Sequence, residues 1–253
     1  MKKMNGIIWL DEVDSTNDAA RRGIDSFDNL SVLSALSQTA GRGQRGNTWC
    51  SDPGQNLTFS IILKYDQFPG GGIQAFDQFA ISEIASLSMI DLLAGYGIKA
   101  KIKWPNDIYV ENRKICGILI ENSVRGEFLA TSIIGIGLNI NQRNFNITGI
   151  RPTSVALETS REYIIADCLD DFMSLFRNYV SRYLHINGGL SKLRRLYLSQ
   201  MWKLNERQEF VDLVSGDEFT GIIRGLSDIG LLLVENEKGE LKEFAFKEIR
   251  YII

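Results

Sequence analysis

The sequence predicts an α+β fold: a mixed sheet with packing helices, joined to a small all-β, β-barrel-like C-terminal domain. Three observations carry that prediction. Apolar residues follow a helical period over residues 73–95. Two long runs, Lys114–Glu121 and Phe128–Ile140, are apolar on both faces and belong in the middle of a covered sheet. From Asn205 the pattern changes to short strands broken by turn residues, which divides the chain into residues 1–203 and 204–253.

Taken in order, Ile7-Ile8-Trp9-Leu10 reads as a short strand. Ser15 and Thr16 then precede a short helix, Asn17–Arg22, which one of the two hydroxyls can cap and which ends near Gly23. Leu30–Ser37 alternates as a second strand and Asn56–Leu63 is rich in β-formers. Phe76, Phe79, Ala80, Ile84, Leu87 and Met89–Leu93 give the first long helix its apolar period. In Lys99–Trp104 the lysines alternate with Ala, Ile and Trp, so they share one strand face, solvated at Lys99 and Lys101. Pro105-Asn106-Asp107 breaks that strand and Ile108–Val110 resumes it.

The hairpin over residues 114–140 closes through Val124–Glu127. A two-residue turn sets Lys114 opposite Gly137, and a three-residue turn sets Gly117 opposite Gly135. Helical periods return at residues 161–185 and 189–202. Turns at Ser215–Asp217, Ser227-Asp228 and Glu237–Gly239 then punctuate the tail.

Composition narrows the function. A net charge of −3 gives no support to a sequence-independent nucleic-acid binder. Residues 204–253 hold six basic and eleven acidic side chains, a poor surface for phosphates. No apolar run reaches the roughly 18 residues of a membrane span, and the N-terminal apolar run is too short for a secretory signal, so a cytoplasmic address is expected. Cys50, Cys116 and Cys168 are scattered, which suits buried thiols in a reducing compartment. His185 is the only histidine and reads as a surface residue, so a zinc site or a His-based triad is not expected.

The stretch Gln38–Trp49 stands out. Between Asn29 and Ser51 the charged side chains are Arg42 and Arg45, with no acidic residue. Glycines beside fixed cations suit a ligand bearing phosphates or a carboxylate. Gly41–Gly46 spells GxGxxG, but it leads through Asp52-Pro53-Gly54 into a strand, whereas the dinucleotide fingerprint must open a helix. Ser15-Thr16-Asn17 is a cluster of neutral hydrogen-bonding groups. Lys114 opens an otherwise apolar strand, which puts its ammonium at the rim of the sheet, where it can meet a carboxylate. Gly135 and Gly137 lie on one strand face and mark a close approach, where a flat ligand could rest.

These motifs resemble the biotin–protein ligases. Ser15-Thr16-Asn17, Gln38–Gly43, Lys103-Trp104-Pro105-Asn106-Asp107, Lys114–Gly117 and Gly137-Leu138-Asn139 occur in that family's order over roughly residues 7–160. The resemblance implies that biotin's carboxylate attacks the α-phosphate of ATP, with magnesium, and that a lysine of a biotin carboxyl carrier protein or domain then takes the biotinyl group. It matches Ser15, Thr16, Asn17 and Gln38 to biotin recognition. Arg42 to Gln44, with Gly41 and Gly43, match a loop that folds over biotin and its adenylate, and Trp49 an aromatic beside biotin's apolar part. Lys114 matches the lysine near the carboxylate and α-phosphate, with Arg42 as a second catalytic cation. Gly117, Gly135 and Gly137 supply the floor. Arg45, Lys103, Trp104, Asn106, Asp107 and Asn139 match the nucleotide side; the metal ligands stay open.

Two departures accompany the match: Gln44 and Asn47 stand where members often carry arginine. The resemblance further implies a monofunctional enzyme, a monomer or weak homodimer, that uses neither DNA nor a membrane. A lipoate–protein ligase would not need the Ser/Thr/Asn and Gln set, and a non-catalytic sensor would not need Lys114 and Arg42.

Overall fold

The computed structural model describes the chain apart from residues 1, 5, 69–71, 146–148, 150, 185, 187 and 253, and apart from the side chains of residues 2–4 and 45. His185 and the Arg45 side chain therefore lie outside the described residues. The first sheet has eight strands: β1 (Lys2–Met4), β2 (Ile7–Val13), β3 (Ser31–Gln38), β4 (Leu57–Lys64), β5 (Lys101–Lys103), β6 (Asp107–Val110), β7 (Arg113–Arg125) and β8 (Phe128–Leu138). Their spatial order is β1-β2-β3-β4-β8-β7-β6-β5. Among the described strands of this sheet only β2 and β3 pair in parallel, through the crossover helix α1 (Thr16–Arg22), so the sheet is mixed.

Period-2 alternation sends opposite residues of each strand to opposite layers. Phe59, Ile61, Ile134 and Ile136 join the large core, beneath helices α2 (Phe79–Gly95), α4 (Ile165–Tyr179) and α5 (Gly189–Ser199). Leu33, Ile62 and Ile133 face the other way and meet Ala20 of α1 in a small second cluster. Helix α2 is buried on nearly every side because it runs between the sheet and α4 and α5. Residues 75–95 are long and apolar enough to cross a membrane, which an unbroken-run criterion overlooks; here they are mostly buried inside the protein. Helix α4 buries Cys168, Leu169, Phe172, Met173 and Phe176, one helical stripe.

Several boundaries differ from the sequence expectation. A 3-10 turn, Ala75–Asp77, precedes α2, and a π-turn, Val180–Leu184, extends α4. Helix α3 (Val155–Thr159), capped by the Ser154 hydroxyl, carries too little apolar period to be read in advance. Cys50 is exposed, against the expectation of a buried thiol, because it belongs to the loop; Cys116 and Cys168 are buried.

The β7–β8 register matches neither pairing considered above. The turn is the two residues Gly126-Glu127, with Gly126 at φ +62°. A register shift between Ser123 and Val124 then moves the pairing by one residue, setting Gly117 opposite Gly137 and Leu119 opposite Gly135. Lys114 instead bridges Pro152 and pairs with Tyr109.

The tail forms a second, antiparallel sheet of β9 (Arg207–Asp212), β10 (Glu218–Leu226), β11 (Leu232–Asn236), β12 (Leu241–Phe244) and β13 (Ile249–Tyr251), in the order β12-β11-β10-β9-β13. It docks on the first layer through defined contacts. Trp104 Nε1 donates to the Gly230 carbonyl (3.0 Å), and the Arg194 guanidinium donates to the Ser227 (2.6 Å) and Asp228 (3.2 Å) carbonyls.

Candidate active site

The α1 face of the sheet carries a cavity of about 400 Å³. Its floor follows from register: Ser60, Gly135 and Leu119 form one row across β4, β8 and β7, and Thr58, Gly137 and Gly117 form the next. Neither glycine leaves open space. A Cβ on Gly135 would lie 2.3 Å from Asn17 Oδ1, and one on Gly137 would lie 2.3 Å from Trp49 Cε2. The flat group resting on the floor is thus the protein's own indole.

At one end the groups are neutral. Ser15, Thr16 and Asn17 are all at most 4% exposed, so each polar atom there needs a partner. Neither hydroxyl caps α1, contrary to the sequence expectation. Asp14 Oδ1 accepts the Ser15 N–H (2.8 Å) and Gln38 Oε1 the Thr16 N–H (2.8 Å). The hydroxyls are left facing the cavity. Ser60 Oγ lies 2.8 Å from Thr16 Oγ1 and 2.6 Å from Asn17 Oδ1, while Asn17 Nδ2 donates to Glu121 Oε2 (2.9 Å). Ser60 and Glu121 were not anticipated; a serine within the apolar run of β4 is the signal that could have found the first.

The glycine loop folds on itself. Gly43 N–H donates to Asn47 O (2.7 Å) and Trp49 N–H to Gly41 O (2.9 Å). A Cβ on Gly41 would meet Trp49 O at 2.4 Å, so this glycine serves the loop's own closure, and unlike Gly43 and Gln44 it does not line the cavity. Arg42 lines it while pairing with Asp18 (2.7 Å) and Glu121 (3.0 Å). Asn47 joins Gln44 on the cavity wall.

The opposite end is cationic. Lys114 Nζ lies 2.7 Å from Asp107 Oδ1 and 5.7 Å from the Trp49 ring centre. Trp49 Nε1 is buried without a partner among the described residues. Lys103 sits among the rings of Tyr109, Trp202 and Tyr251. Burial, with Lys114 nearby and Asp107 opposing, brings its pKa down to about 8. Asn106 is tied down: its side-chain amide donates to the Ile118 carbonyl and its own carbonyl accepts the Ile118 N–H. Asn139 Nδ2 donates to Thr153 O (2.9 Å). Trp104, committed to Gly230, forms cavity wall at 2% exposure.

The geometry joins a cluster of neutral hydrogen-bonding groups to two lysines, Lys103 and Lys114, in one cavity, a suitable arrangement for activating a carboxylic acid with a nucleotide. The family model "Biotin/lipoate A/B protein ligase family" matches residues 9–139, which contain both ends. The chain belongs to this ligase family. Among relatives, the bifunctional ligase/repressor BirA of Salmonella typhimurium is 31% identical over 243 residues, covering 94% of this chain and 71% of that protein. The biotin–[acetyl-CoA-carboxylase] ligase of Paracoccus denitrificans is 28% identical, covering 91% and 94%. The biotin protein ligase from Aquifex aeolicus, solved in complex with biotin and ATP, matches with a TM-score of 0.79 at 26% identity, over 98% of this chain and 99% of that one.

Within the ligase fold the tail contributes more than its acidity suggested. Ile249, Arg250 and Tyr251 of β13 line the cavity beside Lys103. Segment net charge says nothing about where a single arginine points, so neither Arg250 nor Tyr251 was legible in the sequence.

Proposed function

We propose that this protein is a biotin–protein ligase that makes biotinyl-5'-AMP from biotin and ATP and passes the biotinyl group to a lysine of a biotin carboxyl carrier protein or domain. The observation that carries this reading is the single cavity running from Ser15-Thr16-Asn17 to Lys114. Biotin's ureido ring is neutral and needs uncharged donors and acceptors, which the Ser15, Thr16 and Gln38 side chains supply. Its carboxylate then points to Lys114 and the nucleotide.

In the first step a carboxylate oxygen bonds to the α-phosphorus as the α–β bridging bond breaks and pyrophosphate leaves. Lys114 and Arg42 offset the negative charge that gathers there, and Lys103 meets the departing phosphates. In the second step the acceptor amine, once deprotonated, attacks the mixed anhydride; the C–O bond breaks and AMP leaves. The protein supplies position and charge, with no covalent nucleophile. Magnesium enters with the nucleotide in this reading. Among the described residues no group of three or more His, Cys, Asp or Glu is placed to hold a metal, and Asp107 already faces Lys114.

The test is incubation with biotin, α-labelled ATP and magnesium, followed by chromatography. Biotinyl-adenylate and pyrophosphate are expected, with lipoate inert. Lys114→Ala should slow adenylate formation about a hundredfold while weakening biotin binding far less. Adenylation of lipoate alone would overturn the substrate, and absence of any adenylate would make the protein a sensor.

A further inference from the structure

Lys103 is held in an unusual way for a cation at the edge of a cavity. Its ammonium lies 4.7 Å from the centre of the Tyr109 ring, 4.9 Å from Tyr251 and 5.8 Å from Trp202. It donates to Tyr109 Oη at 3.3 Å. Asp107, opposite Lys103 in the β5–β6 pair, is paired with Lys114, and among the described residues Lys103 makes no ion pair. The three rings come from β6, from the link between α5 and β9, and from β13 of the second sheet.

The cage is itself fixed. Trp202 Nε1 donates to the Glu111 carbonyl (2.7 Å), and the Trp202 ring packs against both Tyr109 and Tyr251 at 5.7 Å. Tyr251 leans on Phe210 at 5.2 Å between ring centres. Its hydroxyl is buried and without a partner among the described residues, beside a cavity that Tyr251 lines.

Ring faces stabilise an ammonium through their quadrupole without placing a formal negative charge beside it. A carboxylate in the same place would compete with an incoming anion. The arrangement therefore leaves Lys103 desolvated, without a carboxylate partner and open to a polyanion. On the reading of this site as a biotin–protein ligase, that polyanion is the phosphate chain of ATP.

We propose that Tyr251 is a positioning residue for nucleotide binding. Its ring, with Tyr109 and Trp202, holds the Lys103 ammonium unpaired for the phosphates. The second sheet thereby completes a site that the first sheet begins. The contrasting reading is that Tyr251 only packs the seam between the two sheets.

A double-mutant cycle on the full chain separates the two, with biotinyl-adenylate formation at pH 7.5 as the readout. Tyr251→Met keeps apolar bulk and removes the ring; it should raise the KM for ATP about tenfold with biotin affinity and kcat little changed. Tyr251→Phe should restore most of the loss. In a Lys103→Met background, which raises the KM for ATP by itself, Tyr251→Met should add less than about twofold. An unchanged KM in Tyr251→Met overturns the proposal. So does the same tenfold penalty without Lys103, which would make the effect structural. Damage by Tyr251→Phe equal to that by Tyr251→Met also overturns it, since the hydroxyl would then be the working group. Tyr251→Leu is read in the same way should Tyr251→Met not fold. The wild-type protein is the control: no biotinyl-adenylate there means the ligase reading fails, whereas adenylate with an unmoved KM sinks only the role of Tyr251.

Discussion

At the scale of single residues, the cavity works by deciding which polar groups already have partners. The Gln38 carbonyl oxygen and Asp14 answer the first N–H groups of α1, which leaves the Ser15 hydroxyl, and the O–H of Thr16 whose oxygen already accepts from Ser60, to meet a ligand. Lys114 has Asp107; Lys103 has three rings and the Tyr109 hydroxyl and, among the described residues, no ion pair. Burial lowers the Lys103 pKa to about 8 from its usual value near 10.5. The sign follows directly: the ammonium is present below pH 8 and is lost as pH rises through it. ATP affinity should therefore weaken between about pH 7.5 and 9, by up to tenfold per unit, while Lys103→Arg keeps its charge and flattens the profile. Titration of nucleotide binding against pH checks this. A wild-type profile as flat as that of Lys103→Arg would remove Lys103 from the phosphates.

At the scale of elements, β8 shows why a strand would carry glycine at two alternate positions. Gly135 admits the Asn17 amide and Gly137 admits the Trp49 indole, each at a distance no Cβ permits. Both glycines read in sequence as a floor for a ligand; the packing assigns their space to two side chains of the protein. Gly137→Ala must push the indole off the sheet, at a cost of about 1–3 kcal/mol typical of overpacking. The expected result is shifted tryptophan emission and weakened biotin binding, with the strand pairing intact by circular dichroism. Emission and binding identical to wild type would mean that the indole does not rest there.

At the scale of the molecule, the two sheets are clasped by Arg194. The guanidinium pairs with Glu83 of α2, which is 1% exposed, and reaches two carbonyls at the β10–β11 turn. Phe246 of the tail adds an edge-on contact to Trp104 at 5.2 Å. Burial pushes the Glu83 pKa up to about 7, with Arg194 pulling it down. Arg194→Met leaves that carboxyl buried without its cation, which costs about 3–5 kcal/mol when the group is ionised. Because the folded-state pKa lies above the usual carboxylate value, and rises further without Arg194, the variant recovers stability as pH falls toward 5 and loses it as pH rises. Melting curves at pH 5 and pH 8 test this; a deficit equal at both would show that Glu83 does not carry the effect.

How much of this was readable in advance depends on the range of the interaction. Local period and turn chemistry were enough for the mixed sheet, the long helix, the hairpin and the all-β tail, because helices and strands are written in neighbouring residues. Ordered motifs were enough for the family and for the neutral and cationic clusters. The hairpin register escaped because one extra residue on β8, Ala130, shifts the pairing opposite Ser123 and Val124, and a bulge has no compositional mark here. The partners of Gly135 and Gly137 escaped because they come from more than eighty residues away in the chain. So did the cage around Lys103, whose rings lie at positions 109, 202 and 251 and meet only when the two sheets dock. Residue types by themselves determined which chemistry the chain carries. Long-range packing decided which of those groups stand free to perform it, since a side chain's charge and hydrogen bonds depend on neighbours that only the folded chain supplies.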